Sequence, residues 1–230
     1  MENLKDIAYE QIKRRLLLCE LMPGQRIKEK ELQQEIGIGR TPVREALMSL
    51  EREGMVRILP RAGTFVNDIK MEEVLELYQL RKIIEPSTAI MVKNKIDSVH
   101  LLDLCDQLKS PPPDISAHLL DTEFHKYIVS CSGNMRLIEF FTTMMESVYR
   151  LDIYNTKVGH NNPRETTHAE HTCIAQAIIA GDDQLIRKAY FDHINNSQLA
   201  SITALRKIKT EKINISIKSK GDAALYEKAY

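Results

Sequence analysis

The chain has 230 residues, 43% of them hydrophobic and 28% charged, with 32 basic and 32 acidic side chains. That suits a folded protein of one or two domains and excludes a fibrous or disordered one, for which nine glycines and eight prolines are too few. Apolar runs such as Leu16–Cys19 are far shorter than the ~20 residues a membrane helix requires, and the polar start MENLKDIAYE predicts no secretory signal. The cysteines, at 19, 105, 131 and 173, form no CxxC, which argues against a thiolate zinc site or a disulfide scaffold. Reduced, apolar fillers in a cytoplasmic protein are expected instead. Net charge zero hides an asymmetry: residues 1–70 hold 13 Lys/Arg against 11 Asp/Glu, residues 71–206 hold 13 against 18, and residues 207–230 hold 6 against 3. The excess in the first stretch is too small to argue for nucleic acid by itself.

Residues 6–19 read as a helix with Ile7, Ala8, Ile12, Leu16 and Leu17 inward, ended by the turn Met22-Pro23-Gly24. Residues 29–36 form a second, short helix. Gly37-Ile38-Gly39 then predicts a tight bend, since glycine tolerates backbone angles other residues avoid. Thr41 is expected as the N-cap of a third helix and Pro42 as its first residue. Val43, Ala46, Leu47 and Leu50 follow at i, i+3, i+4 and i+7, one apolar stripe, and Gly54 stops the helix. Residues 55–59 and 64–66 are strand-like and joined by Pro60-Arg61-Ala62-Gly63, a hairpin with a basic tip.

Helix, sharp turn, helix and hairpin describe a winged helix-turn-helix. Arg40 and Arg44, four apart, share a face of the third helix opposite its stripe, where an arginine can read guanine or hold a phosphate. In isolation such a pair is more often an ordinary solvated surface; the bend, stripe and hairpin around it favour DNA. The run GRTPVREALMSLEREGMVRILPRAGTFV, with LMPGQRIKEKELQQEIG before it, resembles the DNA-binding signature of the GntR family of bacterial transcription regulators over residues 8–66. The resemblance implies that Lys30, Arg40, Thr41 and Arg44, with Arg61 and Gly63 of the wing, face DNA. Pro42 stands where some members have a DNA-contacting threonine, and Glu45 reads as structural.

A boundary falls near Asn67–Met71, separating residues 1–70 from a helical region at 71–208. Here helices are expected at 72–95 (kinked or divided by Pro86), 99–108, 116–130, 135–155, 165–180 and 183–208, a bundle of six or seven, so the fold class is mainly α. Asp121 and His125 stand at i and i+4, His168 and His171 lie on another helix, and His193 on the last. One carboxylate and imidazoles from three helices can converge in a bundle core, a set that suits Zn²⁺, Ni²⁺, Mn²⁺ or Fe²⁺, although a single helical histidine is more often a surface or hydrogen-bonded residue.

This half is similar to the FCD ligand-binding domain of the FadR-like subfamily, through LYQLRKIIEP, DTEFH, SGN, HTCIAQAI and FDHI over residues 72–195. The resemblance implies metal ligands at Asp121, His125, His171 and His193, with zinc the leading ion. His118 and His168 fall outside the matched pattern; His118 suits an outer partner of the site and His168 an effector contact. Arg81 has two readings, a carboxylate-binding arginine aimed at the metal or an i,i+4 ion pair with Glu85. Asn134 suits either an effector contact or a helix terminus.

The resulting expectation is a cytoplasmic, metabolite-responsive regulator, a homodimer on a near-palindromic operator, with a small organic acid as effector and no enzymatic activity. One alternative is a DNA-binding scaffold whose metal is purely structural. A helical metalloenzyme is weaker: Glu165-Thr166-Thr167-His168 is an E-x-x-H, but di-iron bundles need two such motifs and further glutamates. Residues 209–230 read as a poorly packed tail, with a strand-like extension or an extra DNA contact as alternatives.

Overall fold

A computed structural model describes residues 3–113, 116–158 and 165–226, with side chains in the last segment from 167 to 208. In chain order the described elements are α1 (Leu4–Leu17), β1 (Arg26–Ile27), α2 (Glu29–Ile36), α3 (Arg40–Arg52), β2 (Val56–Leu59), β3 (Gly63–Val66), α4 (Met71–Val92), α5 (Ser98–Lys109), α6 (Ala117–Ser130), α7 (Met135–Lys157), α8 (Glu165–Ala180) and α9 (Asp183–Tyr226).

The first unit closes on its own core. Ala8, Ile12 and Leu16 of α1 meet Leu32 of α2 and the stripe Val43, Ala46, Leu47 and Leu50 of α3, all buried. Ile7 and Leu17 lie at the edge of this core rather than inside it. The helix-turn-helix bend uses one glycine, not two. Gly37 ends α2 in the left-handed conformation at φ 68°, its amide donating to Gln33 O. Gly39 sits at φ −65°, open to any residue. Thr41 is not the N-cap: Gly39 is, and α3 begins at Arg40 with Pro42 as its third residue. The first-turn amides of a helix lack intrahelical partners, so proline is tolerated there as well as at the first position.

The wing is a three-stranded antiparallel sheet in the order β1-β3-β2. The hairpin β2–β3 pairs Val56 with Val66 through Leu59 with Gly63. The short β1 is an addition to what the sequence pattern predicts; a two-residue strand carries no periodicity, and only pairing of Arg26 with Phe65 and Ile27 with Thr64 defines it.

The remaining six described helices form the bundle. α4 runs unbroken through Pro86. Asp97, Ser116 and Asn134 cap α5, α6 and α7 through side-chain oxygens on first-turn amides. The helix predicted to stop at 208 continues to Tyr226, so the backbone of the expected tail extends α9. The bundle core joins Val74 and Tyr78 of α4, Leu101 of α5, Phe124 and Ile128 of α6, Leu151 of α7, Ile174 of α8 and Tyr190 and Ile194 of α9.

Helix α7 joins the two units. Lys13 of α1 pairs with Glu146 at 2.9 Å. Arg150 Nη2 donates to Asn67 O at 2.7 Å, and Lys157 Nζ to Cys19 O at 3.2 Å. Cys19, one of four free cysteines, belongs to the bundle core although it follows α1 in the chain. No described helix is long and apolar enough to cross a membrane.

Candidate nucleic-acid interface and metal centre

The stripe on α3 fixes what its other face presents. With Val43, Ala46, Leu47 and Leu50 no more than 1% exposed, Arg40, Thr41 and Arg44 are turned to solvent. Neither arginine forms an ion pair among the described residues. Lys30 is exposed on α2 and Arg61 at the wing tip. Arg61 adopts φ 63° and Gly63 φ 107°, so the tip turns through two left-handed residues. Glu45, read as structural, is also exposed.

The second site lies inside the bundle. α6 contributes His125, α8 His171 and α9 His193, each no more than 1% exposed. The Nε2 of His125 lies 3.2 Å from that of His171 and 3.2 Å from that of His193. Among the described residues these three form the group able to hold a metal ion, their ligand atoms all within 4.8 Å of one another.

The far side of each ring explains the orientation. His171 Nδ1 donates to Thr167 O at 2.7 Å, one helical turn back on α8. His193 Nδ1 donates to Glu170 Oε2 at 3.0 Å. His125 Nδ1 faces Glu85 Oε2 at 2.8 Å, close but not aligned as a hydrogen bond, and neither atom has another hydrogen-bonding partner. Carbonyl and carboxylate oxygens only accept, so Nδ1 of His171 and of His193 carries a proton and each Nε2 lone pair faces the group; the approach of Glu85 favours the same tautomer in His125. Burial, followed by the neighbouring imidazoles, lowers His171 to about 3. Burial and then His125 and Arg81 lower His193 to about 3. Both rings are therefore neutral near pH 7, the form that ligates a metal. Converging lone pairs repel one another, and a cation among them removes that repulsion; the donor set fits a divalent ion.

Asp121 lies beside the three histidines. Its Oδ1 is 3.3 Å from His171 Nε2, with the side chain 18% exposed. Burial opposes the Asp121 anion, but His171, His125, His193 and Arg81 outweigh it and hold the carboxyl below its usual range. Arg81 forms the i,i+4 ion pair with Glu85 and also faces the histidines. Its Nε donates to Glu85 Oε1 at 2.5 Å, and its Nη2 reaches His125 Nε2 at 3.3 Å. Burial disfavours the Arg81 charge, yet Glu85 more than offsets that and raises its pKa.

A cavity of about 60 Å³ opens beside the group, lined by Tyr78, Arg81, His118, Asp121, Asp152 and His168 among others. At about 10–15 Å³ per water centre it admits a handful of waters, the scale of a small acid. His118 Nε2 lies 2.9 Å from Thr156 Oγ1 on α7, and His168 Nε2 3.5 Å from Thr172 Oγ1. Asn134 stands apart: exposed, it does not line this cavity, and its Oδ1 accepts from Leu137 N at 3.3 Å as a helix cap. Glu170 and the second contact of Glu85 are absent from the sequence reading. Glu170 precedes His171 by one residue and has no spacing signal linking it to His193 on another helix.

Two family descriptions match this architecture: "Bacterial regulatory proteins, gntR family" over residues 4–66 and "FCD domain" over residues 76–196. The chain belongs to the GntR family. It is a DNA-binding transcription regulator with an FCD domain, consistent with the FadR-like subfamily. An HTH-type transcriptional regulator of Streptomyces ambofaciens is 30% identical over 197 residues, covering 84% of this chain and 82% of the relative. The HTH-type transcriptional repressor RspR of Escherichia coli K12 is 24% identical over 192 residues, covering 81% and 83%. A solved GntR regulator of Rhodococcus sp. RHA1 shares the fold, with TM-score 0.74 at 18% identity over 87% of this chain and 98% of its own. These families and relatives are transcription regulators, not enzymes. The side chain of Glu165, which opens the E-x-x-H, lies outside the described residues.

Proposed function

We propose that this regulator is metabolite-responsive: a divalent ion, zinc first among the candidates, is held by His125, His171 and His193 with Asp121 alongside, and a small organic acid binds next to it. The convergence of the three Nε2 atoms carries the reading. Three neutral imidazoles leave an ion positively charged and ready to accept a further oxygen ligand, which is the chemistry it would supply when bound. Arg81, at the cavity wall and held by Glu85, would pair with the acid's carboxylate, and His168 contributes a polar edge. Arg81 in that wall, with its Nη2 turned toward the histidines, favours a sensor over a purely structural metal, which needs no guanidinium beside it.

On the DNA side, Arg40, Thr41 and Arg44 of α3, Lys30 of α2, and Arg61 and Gly63 of the wing form the reading surface. A homodimer would present two such surfaces to a near-palindromic operator in the cytoplasm. The effector changes DNA affinity only through different affinity for two arrangements of the paired heads, and α7 links its cavity to α1 through Asp152 and Glu146.

The test is a thermal-shift screen of small organic acids with and without chelator, beside elemental analysis of the protein and of His125→Ala/His171→Ala. Metal in the parent, its loss in the double variant and acid stabilisation that chelator abolishes are expected. Response to chelator alone would make the metal structural, and full occupancy in the double variant would overturn the ligand set.

A further inference from the structure

We propose that Arg26, on β1, is a phosphate-contacting residue of the DNA interface, held in place by the glycine of the wing. The inference rests on the reading that α3, α2 and the wing face the duplex. Arg26 sits opposite Phe65 on the neighbouring strand, in register with Arg57 on the strand beyond. Its guanidinium leans diagonally over Gly63: a Cβ added there would lie 3.1 Å from Arg26 Nε and 3.3 Å from Nη2. Gly63 is therefore required twice, by its φ of +107° and by the guanidinium above it. The wing backbone thus acts as a shelf for a planar cation.

Charge in the adjoining groove singles this cation out. The groove, about 700 Å³, runs between the first turn of α2 and the wing, and its lining includes Arg26, Lys28, Lys30, Glu29, Glu31 and Gly63. Glu29 accepts from Thr64 Oγ1 at 2.7 Å, and Glu31 pairs with Lys28 at 3.0 Å. Arg26 and Lys30 have no ion-pair partner among the described residues. Arg57, across Phe65, is 4.0 Å from Asp68 and 5.8 Å from the Phe65 ring centroid, so its charge is partly matched. Two unmatched cations flanking a groove between two DNA-facing elements suit adjacent phosphates of one strand. A planar guanidinium gives the bidentate fit.

A residue that merely props the wing and one that neutralises a phosphate differ in salt dependence. Binding of the full-length protein to a mixed-sequence DNA duplex is followed by fluorescence anisotropy across a NaCl series, for the parent, Arg26→Ala, Arg26→Gln, Arg26→Lys and Arg44→Ala. Thermal melting checks the fold of each, and Arg26→Gln keeps the length of the side chain should the alanine variant unfold. Loss of the charge should weaken binding severalfold and flatten the log–log salt slope by about 0.9 per reading head, with Arg26→Lys retaining the slope. A parental slope in Arg26→Ala or Arg26→Gln, whatever the affinity, would overturn the phosphate contact and leave only a prop. If Arg44→Ala flattens the slope and the Arg26 variants do not, the inference alone fails. If Arg44→Ala also leaves it unchanged, the reading of the DNA face fails with it.

Discussion

Arg44 and Arg81 are the same residue type on two helices of one chain, and their surroundings are opposite. Arg44 is exposed on α3, makes no ion pair among the described residues, and has an apolar stripe behind it. Arg81 is 1% exposed on α4, locked to Glu85 and facing His125. A cation that must meet a changing partner such as DNA is kept in water, where leaving it unpaired costs little. A cation inside a bundle is tolerable only with its countercharge supplied, because desolvation of an unpaired charge outweighs anything packing returns. The reading head therefore holds its chemistry on the surface of a conventional core, whereas the bundle builds its chemistry into the core.

Removing each arginine tests that contrast. Arg81→Ala strands the Glu85 carboxylate in the interior and should lower unfolding free energy by about 3–5 kcal/mol in urea titration. Adding Glu85→Gln should recover part of the loss. Arg44→Ala should leave stability within about 0.5 kcal/mol. The same change should cost about 1–3 kcal/mol of DNA affinity per reading head, enough to abolish operator retention in a gel shift with helix content intact. Retention at the parental level would remove Arg44 from the interface.

Outer contacts give the next effect. Glu85→Gln keeps shape while removing the charge behind His125, and should weaken zinc binding about 10–100-fold in a competition titration. An unchanged affinity would show that Glu85 serves Arg81 alone. Acid perturbs the same rings without a substitution. His171 and His193 are held to about 3, below the ordinary 6.5, so the unfolded metal-free chain takes up protons first as pH falls. Their contribution to stability is complete above about 6.5 and erodes from there toward 3, so the urea midpoint should fall at pH 6 and further at pH 5. A flat profile would mean that these imidazoles are not buried neutral.

Much of the architecture was legible in the order of residues. The stripe at Val43, Ala46, Leu47 and Leu50 defined α3 and its exposed face, because a helical period assigns sides without knowledge of any neighbour. The bundle helices were legible from their apolar periodicity and the breaks between them, while the capping roles of Ser116 and Asn134 came from the structure. The start of α3 was misplaced by two residues, since first-turn positions tolerate proline alike and composition alone does not separate them. Strand β1 and the length of α9 were missed, one defined only by its pairing partner and the other by backbone that continues where apolar periodicity has faded.

The histidines were visible as candidates, and family resemblance picked out three of them. Their convergence at 3.2 Å, the service of Glu85 to both Arg81 and His125, and the hold of Glu170 on His193 belong to contacts between helices far apart in the chain. Sequence by itself determined which faces are apolar and which residue types each helix carries, because those follow from local periodicity. Only the tertiary structure decided which imidazoles meet and which carboxylates lie behind them, because the contacts of His125 with Glu85 and of His193 with Glu170 join different helices and no local spacing encodes those.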